Sequence, residues 1–201
     1  MRIMLCVIIG YFIGSIPFAL VIGKLFYKTD VRQHGSGNLG GGNTGRVLGK
    51  KAGLAVMTLD LLKVSVVVLI AKLTGGGDLA IACGGLAAGI GHCFPVFAGF
   101  RGGKAVAALY GFLFGLFAFA GRSPLYFFFP LAVFLLVLYL TKIISLSSIL
   151  SSIAVTAFIC VRPEAPGIKT AVAIFTILLI VRHRANISRM LRGTENKISW
   201  M

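Results

Sequence analysis

Three segments of this chain gather side chains that bind anions. The first, HGSGNLGGGNTGR, runs over residues 34–46 and holds six glycines beside Ser36, Asn38, Asn43 and Arg46. Glycine lets backbone N–H groups turn toward one point without side-chain obstruction. The serine and the asparagines add neutral donors, and Arg46 adds a planar fork suited to phosphate. With Gly35, Gly37 and Gly40 the segment is an anion cradle by type. It is not a Walker loop: GRVLGK has three residues between its glycines, and Lys51 rather than Ser or Thr follows Lys50.

The second segment, GFRGGKAVAA over residues 99–108, sets Gly102 and Gly103 before Lys104 at the start of an apolar helix. A helix N-terminus offers free N–H groups and a positive dipole end, so Lys104 with the two glycines makes a second phosphate site. The third segment, RHRANISRMLRGTE over residues 182–195, is expected to continue the last apolar run as a helix. His183, Asn186 and Met190 fall on one face by their spacing, with Arg182 and Arg189 beside them. Gly193 suits the helix C-cap, and Glu195 can pair with an arginine. A basic amphipathic tail lying on anionic lipid is the competing reading of this segment. The fifth residue after His34, His92 and His183 is Leu39, Phe97 and Ser188, so the HxxxxD pattern of soluble-face acyltransferases is absent.

These polar segments interrupt an oily chain. The 201 residues are 58% hydrophobic, with a mean hydropathy of +0.97. The formal charge is +15, with Asp30, Asp60, Asp78, Glu164 and Glu195 the only acids. In so apolar a chain the cations belong at a membrane interface, facing anionic headgroups or substrates. Nucleic acid is not an expected partner, since no basic–aromatic surface segment occurs. Cys6, Cys83, Cys93 and Cys160 lie in or beside apolar runs without zinc spacing and read as small buried hydrophobes. His92 reads as a structural residue at the interface. The acids are too few and scattered for an oxygen cage, so neither metal nor cofactor is expected. The first apolar run is too long for a signal-peptide h-region, and no cleavable signal is expected.

A span needs about 20 apolar residues. Runs at 3–27, 52–73, 79–100, 105–120, 124–140, 145–161 and 168–181 predict an all-α polytopic membrane protein with about seven transmembrane helices, one domain over residues 1–201. Gly10 and Gly14 form a close-packing pair, and Gly85 and Gly89 repeat the spacing. Asp60 and Lys63 stand three apart inside a span, either as a structural ion pair or as a support for the site. Alternate loops differ in charge. One side collects Lys28, Arg32, Arg46, Lys50, Lys51, Arg101, Lys104, Lys142, Arg182, Arg184, Arg189, Arg192 and Lys197. The other collects Arg2, Lys72, Arg122, Arg162 and Lys169. The first side is therefore cytoplasmic, with the N-terminus outside and the C-terminus inside, and the three polar segments converge on that side.

In combination, GSGNLGGGNTGR, RGGKAVAA and HRANISRMLRGTE resemble the three motifs of the bacterial membrane glycerol-3-phosphate acyltransferases that use acyl phosphate, the PlsY family. SLSSI at 145–149 resembles a further family segment. The resemblance covers almost the whole chain in order. Ser36, Arg46, Lys104, His183, Asn186 and Glu195 match; Ala105, Ala108 and Ala185 replace the usual Gly, Thr and acid. The resemblance implies transfer of a fatty acyl group from acyl phosphate to the 1-hydroxyl of glycerol 3-phosphate. The products are lysophosphatidic acid and phosphate, in phospholipid synthesis at the bacterial cytoplasmic (inner) membrane. It implies Ser36, Arg46, Lys104 and His183 as catalytic residues. Gly35, Gly37, Asn38, Gly40, Asn43, Gly102, Gly103, Ser145 and Asn186 become substrate-binding residues, with Glu195 and Asp60 structural near the site. The partners implied are the two substrates and membrane lipid, for a monomer. The alternative is a membrane transporter of phosphate or glycerol phosphate esters, although neither an internal repeat nor a midplane anion site is evident.

Overall fold

The computed structural model describes residues 1–198, and among these there are helices and no strands. Ten α-helices follow in order: α1 (Arg2–Gly14), α2 (Phe18–Tyr27), α3 (Gly41–Leu48), α4 (Lys50–Leu73), α5 (Gly77–Cys93), α6 (Val106–Ala120), α7 (Leu125–Thr141), α8 (Ile144–Cys160), α9 (Pro166–Arg182) and α10 (Arg184–Leu191). Each expected apolar run contains a helix, that at 79–100 ending at Cys93, with two further corrections to the outline. The run at 3–27 is broken between α1 and α2, because Pro17 has no N–H to donate and disfavours helical geometry at Ile16. The third segment does not continue α9: the chain bends by 57° at His183 before α10 begins.

Among the described residues, three stretches are long and apolar enough to cross a bilayer: Arg2–Tyr27, Lys50–Leu73 and Gly77–Ala98. The bent pair α9 and α10 makes a fourth candidate, whereas α6, α7 and α8 have 15, 17 and 17 residues. At 1.5 Å per residue these shorter helices reach about 22–26 Å, less than a typical hydrocarbon core of about 30 Å. A belt of exposed large apolar side chains, including Phe26, Leu54, Leu135, Leu136 and Ile177, surrounds the bundle. Such a surface requires lipid rather than water against it.

Glycines set the close approaches inside. A Cβ at Gly10 or Gly14 would run into the backbone of Gly84 or Ala88, so α1 lies directly on α5, as the Gly10/Gly14 spacing predicts. Gly85 and Gly89 instead leave room for the rings of Phe112 and Phe175, which stack at 5.4 Å. Cys6 and Cys93 are buried, Cys83 is partly buried, and Cys160 is exposed, which corrects its expected burial.

Contacts sort the loops into two groups. At one end, Asn38 Nδ2 donates to the Gly102 carbonyl (3.1 Å), Arg182 Nε to the Gly103 carbonyl (3.0 Å), and Ser145 Oγ to Glu195 Oε1 (2.8 Å). The three polar segments and the start of α8 therefore meet. At the other end, Arg122 pairs with Asp78 and Glu164, and the Tyr126 hydroxyl donates to Glu164. This second cluster ties together the loops before α5, α7 and α9.

Candidate active site

The first glycine segment is built around Asn43. This side chain is 3% exposed. Its Oδ1 accepts from the Ser36 N–H (2.8 Å) and Ser36 Oγ (3.2 Å); its Nδ2 donates to the carbonyls of Val31 and His34. The Asn43 amide thus ties the loop together through four hydrogen bonds. Gly35 and Gly37 take φ values of +60° and +66°, the left-handed region that glycine enters without strain. Gly40 caps α3. A Cβ at Gly41 would strike Met57 and the Gly53 carbonyl, so α3 is pressed onto α4. Arg46 stands exposed on α3 without a hydrogen bond or ion pair among the described residues. Asp30 closes the segment's start: its Arg32 partner outweighs partial burial and holds the carboxyl down to about 2.

The second segment is clamped rather than open. The Gly103 N–H donates to the His92 carbonyl at 2.9 Å, so it is not free to bind phosphate. Arg182 donates from Nε to the Gly103 carbonyl and from Nη2 to the Gly102 carbonyl (3.1 Å). Both polar groups of the Gly103 backbone thus have protein partners. Ala105 caps α6 at φ +64°, fully buried. The family's usual glycine would hold that conformation without the strain that a Cβ adds.

Lys104 projects from this clamp, and its Nζ donates to Asn186 Oδ1 at 2.6 Å. Asn186 Nδ2 donates to Glu195 Oε1 at 2.5 Å, and Arg189 Nε to Glu195 Oε2 at 2.7 Å. The chain returns here through a glycine turn after α10. Gly193 has φ +70°, its N–H bonds the Met190 carbonyl, and the Thr194 N–H bonds the Arg189 carbonyl. This is the Schellman pattern, with Gly193 just past the helix end. Burial and the Arg189 charge together lower the Lys104 pKa below its ordinary 10.5 despite nearby Glu195. Burial raises the Glu195 carboxyl, but the bonds from Asn186, Ser145 and Arg189 outweigh it and hold the pKa below 4.5.

A cleft of about 370 Å³ opens over these groups, lined by Ser36, Gly37, Asn38, Phe100, Arg101, Gly102, Lys104, Arg182, Arg184, Ala185, Asn186 and Arg189. Among the described residues its wall carries five cations and no carboxylate. Of the predicted site residues, Ser36, Gly37, Asn38, Gly102, Lys104 and Asn186 line it. Gly35, Gly40, Asn43, Arg46, Gly103, Ser145 and His183 stand outside its wall, as do the expected supports Glu195 and Asp60. Ser145 is 4% exposed, with its hydroxyl donated to Glu195. His183, at the bend beyond α9, is 3% exposed, and burial depresses it to about 4. Its Nδ1 lies 2.8 Å from the Leu179 carbonyl, which only accepts. The neutral ring therefore carries its proton on Nδ1 and leaves Nε2 as an acceptor. Arg101 and Arg184 were legible only as interface charge; Arg182, the clamp of Gly102 and Gly103, had no signal beyond its place beside His183.

Asp60 forms a buried ion pair with Lys63. Lys63 Nζ donates to Asp60 Oδ1 at 2.6 Å and to the Ile16 carbonyl at 2.9 Å, one that the break before Pro17 frees. His92 Nδ1 lies 3.6 Å from Asp60 Oδ1.

An apolar helical bundle with an arginine-rich cleft at one end defines an integral membrane protein with a cationic site. The chain belongs to the glycerol-3-phosphate acyltransferase family, whose model matches residues 4–193. It is 41% identical to a glycerol-3-phosphate acyltransferase of Enterococcus faecalis, over 100% of this chain and 94% of that protein. It is also 41% identical to one of Streptococcus pyogenes, over 100% and 95%. Its fold is similar to the crystal structure of PlsY, an integral membrane glycerol 3-phosphate acyltransferase, in its glycerol 3-phosphate form. That match has a TM-score of 0.91 and 38% identity, covering 99% of this chain and 96% of the other. The lysophosphatidic acid form of PlsY matches with a TM-score of 0.89 and 37% identity, covering the same shares.

Proposed function

We propose that this chain transfers a fatty acyl group from acyl phosphate to the 1-hydroxyl of glycerol 3-phosphate, releasing lysophosphatidic acid and inorganic phosphate. The observation that carries the reading is the cleft wall of Arg101, Lys104, Arg182, Arg184 and Arg189 without a carboxylate. Two phosphate groups brought together repel each other, and such a wall offsets that repulsion. The family's activity and the two ligand forms of PlsY support the acceptor and the product.

Acyl phosphate is a mixed anhydride with a good leaving group, so binding and alignment supply most of what the reaction needs. Lys104, aimed by Asn186, neutralises one phosphate. The arginines, with Arg46 approaching from α3, meet the other phosphate or the oxyanion that develops at the acyl carbon. The 1-hydroxyl attacks the acyl carbon, the bond to the phosphate oxygen breaks, and phosphate leaves with the electron pair. The hydroxyl proton passes to a substrate phosphate oxygen. His183 Nε2 is a neutral acceptor, but His183 lies outside the cleft wall, which favours the substrate as base. Ser36 is not an activated nucleophile, because its hydroxyl bonds only the Asn43 amide oxygen, which is no base. Transfer is direct.

The chain works as a monomer in the bacterial cytoplasmic (inner) membrane with seven crossings, the N-terminus outside and the cleft facing the cytoplasm. The charge asymmetry and the two groups of alternate loops support this arrangement. The test is acyl transfer by purified protein with EDTA present, offering labelled glycerol 3-phosphate with palmitoyl phosphate, palmitoyl-CoA or acyl-carrier-protein thioester. Lysophosphatidic acid formed from palmitoyl phosphate alone supports the reading. Product from a thioester, or none from any donor, overturns it.

A further inference from the structure

Asp60, Lys63 and His92 form a buried cluster away from the cleft wall, 2%, 6% and 5% exposed. Nothing in the transfer chemistry uses them. Lys63 bridges Asp60 and the Ile16 carbonyl, which fixes the break between α1 and α2 to α4. His92, at the end of α5, turns Nδ1 toward Asp60. The opposite edge of its ring lies against Gly103: a Cβ there would collide with Nε2, Cε1 and Cδ2. A Cβ at Gly102 would collide with the His92 carbonyl, which itself accepts the Gly103 N–H. The Gly102–Gly103 backbone is therefore gripped between His92 beneath and Arg182 above, and the next residue is Lys104.

We infer that His92, held by the buried Asp60–Lys63 pair, is a positioning residue that sets the height and direction of Lys104 in the cleft. Buried ions in a membrane protein demand a partner and fix geometry, because any rearrangement strands a charge. The imidazole is thus a rigid block whose place is set by Asp60. Gly102 and Gly103 are required because this block and its carbonyl fill the space that a Cβ would take. The reading rests on Lys104 binding a substrate phosphate.

The test is a kinetic double-mutant cycle in the full-length protein: wild type, His92→Ala, Gly103→Ala and the double variant, with Lys104→Ala as reference. KM for each substrate and kcat are measured alongside thermal unfolding. The expected result is that Lys104→Ala raises KM for one of the two substrates. His92→Ala raises KM for that same substrate about tenfold, since the loop loses its floor. Gly103→Ala is at least as damaging, and the double variant is more active than Gly103→Ala alone, because the added methyl enters the space vacated by the ring. A role confined to stability would lower the unfolding temperature and the active fraction without moving KM, and that outcome overturns the inference. So do wild-type kinetics for His92→Ala, or losses in the double variant equal to the product of the two singles. Should His92→Ala not fold, His92→Gln paired with Gly103→Ala reads the same coupling. Failure of wild-type protein to transfer from acyl phosphate, or an unaffected Lys104→Ala, sinks the functional reading instead.

Discussion

Replacing Glu195 by alanine should release the tail and misalign Lys104 in one step. Glu195 accepts three hydrogen bonds, from Ser145, Asn186 and Arg189. A hydrogen bond to a charged group contributes about 1.5–3 kcal/mol. The Arg189 bond counts least, because that side chain is 39% exposed and water replaces its partner. Ser145 and Asn186 are buried and would be left with unsatisfied donors, so the closed tail loses about 3–5 kcal/mol. Asn186 also loses the acceptor that orients its amide, and with it the aim of Oδ1 at Lys104. One charge-assisted bond of about 1.5–3 kcal/mol corresponds to roughly a 10–150-fold fall in kcat/KM where that alignment is needed in the transition state. Glu195→Gln keeps an oxygen for Asn186 and Ser145 and should stay within about tenfold of wild type. Initial rates of lysophosphatidic acid formation, with thermal unfolding in detergent, measure both effects. Wild-type kcat/KM in Glu195→Ala would refute the relay, as would equal inactivity of the two variants.

Ala105→Gly should stabilise the protein by about 0.5–1 kcal/mol, the relief of a left-handed alanine less the entropy that glycine adds to the unfolded chain; thermal unfolding reads it. The phosphate contact proposed for Lys104 requires the protonated amine, whose pKa is lowered from 10.5, so kcat/KM should fall as pH rises through that lowered value. Lys104→Arg should move the alkaline limb upward in a pH–rate profile. Because the Glu195 pKa is depressed below 4.5, its contribution to stability is present above pH 4.5 and lost as pH falls through the folded value. Hydrogen exchange at residues 193–198 should rise over that acid range. Asn43→Ala removes four hydrogen bonds that shape the first loop and should lower kcat/KM more than tenfold; unaltered kinetics would show that the loop holds its shape without it.

The three polar segments were legible because glycine, asparagine and arginine are foreign to an apolar chain, and their convergence followed from counting loops. Partners were not legible. Sequence spacing cannot say whether a glycine frees an N–H or yields space, and at Gly103 the His92 ring decides. Asn43 and Ser145 carry the donors of a binding residue, yet folding brings acceptors from distant positions that occupy them. Asp60 and Lys63 signalled a pair by their spacing, but the reach to His92 is set by how α4 packs on α5. The break at Pro17 was masked by hydropathy, which runs unbroken across it. The bend at His183 left no mark, since residues 182–191 suit a helix on either side of it.

Direct transfer between two phosphate-bearing substrates is the centre of this account, and a single-turnover trapping experiment tests it most directly. Purified protein is mixed with labelled palmitoyl phosphate without glycerol 3-phosphate, quenched in acid, and digested for the peptide that contains Ser36. Direct transfer predicts no protein-bound label, and label appearing in lysophosphatidic acid in one phase once glycerol 3-phosphate is added. Stoichiometric acyl-Ser36 that passes its label to glycerol 3-phosphate would contradict it.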